Sequence, residues 1–317
     1  MTRTLLITEK LSKQLLEPIQ QLLSDWRIIA STDRDVWQQE APHAEIIAGW
    51  HPKLSAALEG STLRWIQAWS AGVNSLPLAT LQQRHTILTN AVGVHAYPIS
   101  ETIFALMLGL TRNLHTYVSQ QREKRWHHGN LKLELHGKTL GMLGVGAIGS
   151  ETAKIAKAFG MTVLGYRHSG QRADHFDHMY TTDELHQLLP QCDYVVAALP
   201  STEATQQLFG EKEFALMKQS AFLINVGRGD LIDEGALVHA LQNGTILGAG
   251  LDVFAVEPLP QEHPFWNMPN VILTPHTAGS TEHYNERVVH DIFLPNLQNY
   301  LNDASPNINV VDYSKGY

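Results

Sequence analysis

The chain has a single cysteine, Cys192, among 317 residues. One thiol excludes an intrachain disulfide and fits a reducing, cytoplasmic setting. Long hydrophobic runs are missing too. The longest apolar stretch, residues 103–110, has polar flanks and falls short of the ~18 residues of a membrane span. Met1 through Thr8 lacks the long apolar core of a signal peptide and reads as a first strand. There is no basic excess either: 23 Lys and Arg against 31 Asp and Glu leave a net charge of −8. That sign argues against a nucleic-acid partner, whose phosphates need a basic face. No repeat, low-complexity run or Pro/Gly/Ser linker interrupts the chain. Of the 17 histidines, the His127-His128 pair and the His168, His175 and His178 group lack acid or cysteine partners at metal-ligand spacing, and no metal site is expected. His127, His128, His168, His175 and His178 read as surface residues.

Apolar residues make up 44% of the chain and charged residues 17%, enough to bury a sizeable core. The length suggests two domains. In the first third, Leu5-Leu6-Ile7, Arg27-Ile28-Ile29-Ala30, Glu45-Ile46-Ile47-Ala48-Gly49, Trp65-Ile66-Gln67-Ala68 and Ile87-Leu88-Thr89 read as strands between helical stretches such as residues 12–23. That alternation is a parallel α/β pattern. Pro98 opens a long helix running toward His115, with Ile103, Leu106, Met107 and Leu110 at helical spacing. A second α/β block follows, with strands at residues 140–143, 162–166, 194–199, 222–226, 250–254 and 271–273. A final helix begins near Thr281, and Pro295 should kink or break it.

Gly144-Val145-Gly146-Ala147-Ile148-Gly149 lies between a strand and a helix, the context that makes a G-x-G-x-x-G run informative. Gly144 permits a tight turn, Gly146 lets backbone approach a pyrophosphate, and Gly149 lets helix and strand pack closely. The helix N-terminus, with Ala147 and Ile148, offers free N–H groups to the anion. The end of the following strand normally carries an acid for the ribose of NAD. Here Arg167-His168-Ser169 stands there, and a guanidinium suits the extra phosphate of NADP. NADP is therefore the expected preference.

Three further stretches supply an Arg, a Glu and a His. Arg228, between Gly227 and Gly229, can grip a carboxylate with two parallel hydrogen bonds and polarise the neighbouring carbonyl. His276 follows Pro275 at a strand end, where open α/β sheets bind ligands, and can pass a proton near neutral pH. Glu257, before Pro258, stands between these motifs in the chain; a carboxylate beside His276 would favour the imidazolium.

Taken together, the chain resembles the D-isomer-specific 2-hydroxyacid dehydrogenase family over nearly its whole length. The resemblance includes Trp65 through Val73, Glu134 through Gly141, Phe159-Gly160-Met161, Gly227 through Glu234, and the motifs around Glu257 and His276. It implies an α/β protein of two lobes around a cleft, a flavodoxin-like substrate domain and a Rossmann-type, doubly wound NAD(P) domain. Residues 1–97, completed by 283–317, would form the first and residues 98–282 the second. The helices after Pro98 and Thr281 would act as hinges, and the protein would be a homodimer.

The family pattern assigns substrate binding to Arg228, acid/base work to His276 and the partner carboxylate to Glu257. It places the substrate carboxylate on a loop, Ser70, Ala71, Gly72 and Val73. Asp252 would meet the nicotinamide carboxamide, with Pro200, Val226 and Gly227 flanking the cofactor. The reaction implied is hydride transfer between nicotinamide and a small 2-oxoacid or D-2-hydroxyacid. Formate dehydrogenases of this family carry glutamine where Glu257 stands. Phosphoglycerate dehydrogenases typically carry a basic residue where Trp69 stands. The 70–73 loop and Arg167 look more like glyoxylate/hydroxypyruvate reductases. D-3-phosphoglycerate oxidation is the alternative. A dinucleotide-sensing, co-repressor-like binding protein is the alternative of another class.

Overall fold

The computed structural model describes residues 3–60, 62–73, 75–129 and 132–313. Met1 and Thr2 of the expected first strand, and the last four residues of the 283–317 segment, lie outside these. The chain divides into two compact units, Met1–Val94 with Thr281–Tyr317, and His95–Ser280. The sequence reading puts the boundaries at 97/98 and 282/283. His95 belongs with the second unit, where its Nδ1 lies 2.9 Å from the Gly279 carbonyl oxygen.

The first unit holds a five-stranded sheet of β1 (Thr4–Ile7), β2 (Arg27–Ala30), β3 (Ile46–Ala48), β4 (Trp65–Gln67) and β5 (Ile87–Thr89). All pairings are parallel, and the order is β2-β1-β3-β4-β5. This is the flavodoxin-like order. The inner strands β1, β3 and β4 are buried throughout, as parallel strands covered on both faces must be. Leu5, Ile7, Ile46 and Trp65 pack on one face with Phe293 and Leu297 from the C-terminal helix. Leu6, Ile47, Ile66 and Leu88 pack on the other.

The second unit holds a seven-stranded parallel sheet of β6 (Thr139–Leu143), β7 (Thr162–Tyr166), β8 (His178–Tyr180), β9 (Tyr194–Ala197), β10 (Phe222–Asn225), β11 (Gly248–Leu251) and β12 (Val271–Leu273). Its order is β12-β11-β10-β9-β6-β7-β8. The chain turns back on itself between β6 and β9, the switch point where doubly wound sheets take ligands. Helix Ala147–Ala158 packs on helix Ala96–Thr111, and Ser100 Oγ lies 3.0 Å from Thr152 Oγ1 between them.

Several boundaries differ from the sequence reading. The long helix starts at Ala96 and stops at Thr111. Asn113, at φ +55, turns the chain into a second helix, Leu114–Arg122, which contains His115. The strand expected at 250–254 is Gly248–Leu251, because Asp252 already belongs to the turn beyond it. The C-terminal helix begins at Tyr284 and does not break at Pro295. It widens into a π-helical stretch, Val288–Phe293, and resumes as Leu294–Leu301. Proline has no N–H for the carbonyl four residues back and its ring needs room; the wider turn just before it accommodates both.

Candidate active site

Every element of the second unit's site sits at the carboxyl end of a strand. After β6, Gly144 adopts φ +103, and a Cβ there would lie 2.7 Å from the Ala198 carbonyl oxygen beyond β9. A Cβ at Gly149 would overlap the Gly144 carbonyl. At Gly146 nothing lies within 4 Å of such a Cβ, and no side chain caps the helix that begins at Ala147. Two glycines thus close the turn and the third leaves an open cradle under free helix amides. Gly146 and Ala147 are exposed and Ile148 half-buried. The arrangement fits a pyrophosphate.

At the end of β7 the Arg167 side chain folds back over its own loop. Nη2 donates to the carbonyls of Gln171 at 2.8 Å and Arg172 at 3.3 Å. Its Nε is buried with no hydrogen-bond partner among the described residues. His168 and Ser169 are exposed beside it, and Ser169 Oγ accepts from the Gln171 amide. After β9, the Pro200 carbonyl accepts from Thr205 Oγ1 at 2.7 Å, which shapes that loop.

The turn after β10 is built by Asn225, a residue whose side chain the sequence reading overlooked. It is fully buried; Oδ1 accepts from the Gly227 amide and Nδ2 donates to the Arg228 carbonyl. Val226 is buried, and its amide donates to the Ala197 carbonyl oxygen at 3.0 Å. Gly227 is required by close approach, since a Cβ would meet the Leu199 carbonyl oxygen at 2.7 Å. The turn thus projects an exposed Arg228, whose Nη1 donates to the Gly227 carbonyl at 2.7 Å.

Beyond β11 and β12 lie Glu257 and His276. Glu257 Oε1 accepts from the Phe254 amide at 2.9 Å, and Oε2 lies 2.7 Å from His276 Nδ1. Burial pushes the Glu257 carboxyl up. The hydrogen bonds from His276 and the Phe254 amide, with the charges of His276 and Arg228, outweigh that and hold it below its ordinary value. An ionised carboxylate only accepts, so Nδ1 carries the proton and Nε2 is the atom left to exchange one.

His276 has φ +54, a left-handed conformation that is costly for a residue with a Cβ. Asp252 holds it there. The Asp252 carbonyl accepts from the His276 amide at 2.8 Å. Its Oδ1 accepts from Thr274 Oγ1 and the Thr277 amide, and its Oδ2 from the Ala278 amide. Expected at the nicotinamide carboxamide, Asp252 is 1% exposed and spends both carboxylate oxygens on the loop that carries His276. Nothing in its sequence neighbourhood signals that work.

In the first unit, the loop after β4 is anchored at Trp69. Trp69 Nε1 donates to Asn285 Oδ1, and the Trp69 carbonyl accepts from Tyr284 Oη, each at 2.9 Å. Ser70 Oγ donates to the Gly72 carbonyl at 2.6 Å, Gly72 is open to solvent, and Val73 is buried. Ala71 is half-buried. No group of three metal-ligating side chains occurs among the described residues. No helix there is long and apolar enough to cross a membrane.

The family model for the NAD binding domain of D-isomer specific 2-hydroxyacid dehydrogenases matches residues 104–278, more than half of the chain. The chain belongs to this family. It is an NAD(P)-dependent oxidoreductase acting on 2-hydroxyacids. Glyoxylate/hydroxypyruvate reductase B of Klebsiella pneumoniae subsp. pneumoniae is 36% identical over 247 residues, 75% of this chain and 76% of the relative. D-3-phosphoglycerate dehydrogenase of Methanocaldococcus jannaschii is 35% identical over 69% of this chain but 42% of that longer protein. Among solved structures, a D-isomer specific 2-hydroxyacid dehydrogenase family protein of Aeromonas salmonicida subsp. salmonicida A449 superposes with a TM-score of 0.80. It is 34% identical and covers 99% of this chain and 100% of its own.

Proposed function

We propose that the enzyme interconverts a small 2-oxoacid and its D-2-hydroxyacid, with glyoxylate or hydroxypyruvate reduction as its activity and NADPH as the preferred cofactor. The observation that carries the chemistry is the 2.7 Å Glu257–His276 pair, with exposed Arg228 close enough for its charge to act on Glu257. The nicotinamide, when bound, supplies or accepts the hydride. Arg228 binds the substrate carboxylate and polarises the adjacent carbonyl. His276 gives its Nε2 proton to the carbonyl oxygen in reduction and takes it back in oxidation. Glu257 keeps the imidazole in the Nδ1–H form and balances its charge. Ser70, Ala71, Gly72 and Val73 receive the carboxylate on backbone amides.

The substrate reading rests on the loop after β4. Residues 70–73 carry no cation, and the indole N–H of Trp69 is committed to Asn285. A phosphorylated substrate would find no positive charge on that loop. The resemblance to glyoxylate/hydroxypyruvate reductase B points the same way. The cofactor preference rests on Arg167 at the end of β7, where an acid would hold the free ribose of NAD. Gly144, Gly146, Ala147, Ile148 and Gly149 take the pyrophosphate in this reading. His168 and Ser169 flank the ribose; Pro200, Val226 and Gly227 line the path to the nicotinamide. The unit Met1–Val94 with Thr281–Tyr317 serves substrate and the unit His95–Ser280 serves cofactor. The protein acts as a homodimer in the cytoplasm, a setting that a lone buried cysteine fits.

The test is oxidation of NADPH and of NADH with glyoxylate, hydroxypyruvate, pyruvate and phosphohydroxypyruvate. The expected result is the highest kcat/KM with NADPH and glyoxylate or hydroxypyruvate. A clear preference for phosphohydroxypyruvate would overturn the substrate reading. Equal efficiency with both cofactors would overturn the Arg167 reading. No turnover in protein shown to bind cofactor would overturn the chemistry.

A further inference from the structure

Glu234 is the first residue of helix Glu234–Gln242, in the same run as Arg228 but outside the set of reacting groups. Its carboxylate does not face solvent freely; the side chain is 20% exposed. Oε1 accepts from the Ala255 amide at 2.8 Å, a contact 21 residues along the chain. Oε2 lies 3.4 Å from His263 Nε2, and His263 Nδ1 accepts from the Phe265 amide. That second bond leaves the ring proton on Nε2, so the edge of His263 nearest Glu234 carries the N–H.

The Ala255 amide has a particular neighbourhood. The preceding amide, that of Phe254, is bonded to Glu257 Oε1, whose other oxygen pairs with His276. Two successive N–H groups of one loop are thus held by two carboxylates from different parts of the chain. The same Phe254–Ala255 peptide is pressed against the Arg228 turn. A methyl group at Gly229 would overlap the Phe254 carbonyl and the Ala255 nitrogen. Two consecutive peptide units therefore link these supports: Val253–Phe254 gives its N–H to Glu257, the partner of His276, and Phe254–Ala255 packs on the Arg228 turn. Glu234 fixes the second of them from the outside, through the Ala255 amide.

We propose that Glu234 is a positioning residue for the reaction, holding the Phe254–Ala255 peptide so that Glu257 stays bonded to His276 and the Arg228 turn stays seated. This rests on the assignment of Arg228, Glu257 and His276 above. Glu234 itself touches neither substrate nor cofactor. Its effect is transmitted through the Phe254 amide to Glu257. Sub-ångström to ångström displacement of a reacting group is enough to cost up to about a hundredfold in rate.

The experiment compares Glu234→Ala, Glu234→Gln, Glu257→Gln and the double variant Glu234→Ala/Glu257→Gln. Steady-state kinetics are taken with NADPH and the preferred 2-oxoacid across pH, with NADPH affinity by fluorescence titration and Tm for each protein. Glu234→Ala should lower kcat roughly tenfold or more, leave NADPH affinity unchanged, and shift the pH profile in the direction seen for Glu257→Gln. Glu234→Gln keeps an acceptor for the Ala255 amide and should restore most of kcat. The double variant should be no slower than Glu257→Gln alone, because the two act through one linkage. Additive losses, an unchanged kcat and pH profile in Glu234→Ala, or a glutamine no better than alanine would each overturn the proposal. If Glu234→Ala does not fold, the glutamine variant and its pH profile decide alone: near-normal behaviour supports the acceptor role and a tenfold loss refutes it. Glu257→Gln without effect would instead strike at the underlying assignment, a distinguishable failure.

Discussion

The carboxyl ends of the two sheets are finished in different chemistry. Around β4 the chain is held by neutral groups: an indole on an amide, a phenol on a carbonyl, and the Ser70 hydroxyl on the Gly72 carbonyl. Beyond β11 and β12 it is held by carboxylates. Asp252 anchors the His276 loop, Glu257 takes the Phe254 amide, and Glu234 takes the Ala255 amide. In the function proposed above, the first loop only receives an anion, for which open amides suffice, whereas the second set moves a proton and must hold a charged pair closely; charge-assisted bonds are the stronger fasteners.

The comparison is broken most severely at His276. Replacement by asparagine removes the exchanging Nε2 and should lower kcat by roughly 10²- to 10⁴-fold, with NADPH binding retained in a fluorescence titration. A loss confined to KM would show that His276 binds rather than reacts.

Next comes Asp252. Replacement by alanine strands the Thr277 and Ala278 amides and the Thr274 hydroxyl around a buried site, and releases a left-handed histidine. A cost of about 2–3 kcal/mol follows from the orphaned donors, measured as a fall in unfolding free energy by denaturant titration. A variant as stable as the parent would mean that the loop finds other acceptors.

The Glu257–His276 pair sharpens the contrast through pH. The folded-state value of Glu257 lies below its ordinary one, so its contribution is present above the usual carboxylate range and is lost as pH falls through the folded value. The Tm difference between parent and Glu257→Gln should therefore stay constant from neutral pH down to about 5. It should shrink only below the ordinary glutamate value of about 4.3. A difference that fades between pH 7 and 6 would contradict the depressed carboxyl.

The smallest effect belongs to the first sheet. Ser70→Ala removes one exposed hydroxyl bond, a matter of about 1 kcal/mol or less. KM for the 2-oxoacid should rise only a few-fold at unchanged kcat. A hundredfold fall in kcat would place proton chemistry on the neutral loop and erase the distinction.

Much of the fold is legible in residue order. Thr4–Ile7, Tyr194–Ala197 and Phe222–Asn225 are apolar runs bounded by polar turns, and each is a buried strand. The glycine motif announces its turn because Gly144 and Gly149 fill positions where no Cβ fits. By contrast, β8 is three residues at the sheet edge with an exposed first position, too short to show a period. The helix start at Ala96, ahead of Pro98, escapes notice because proline tolerates any place in a first turn.

The sequence by itself determined the class of machine: parallel α/β units, a dinucleotide turn, and an Arg, a Glu and a His in order. Those features are local, since periodicity, glycine geometry and side-chain chemistry act within a few residues. The tertiary structure alone decided how the loops carrying Arg228, Glu257 and His276 are held. Asp252 meets Thr277 and Ala278 from 25 and 26 residues away, Glu234 meets Ala255 from 21, and Glu257 meets His276 from 19. Most of these contacts run from a side chain to a backbone amide. Every residue but proline carries such an amide, so no pattern of residue types can mark which one a carboxylate will find.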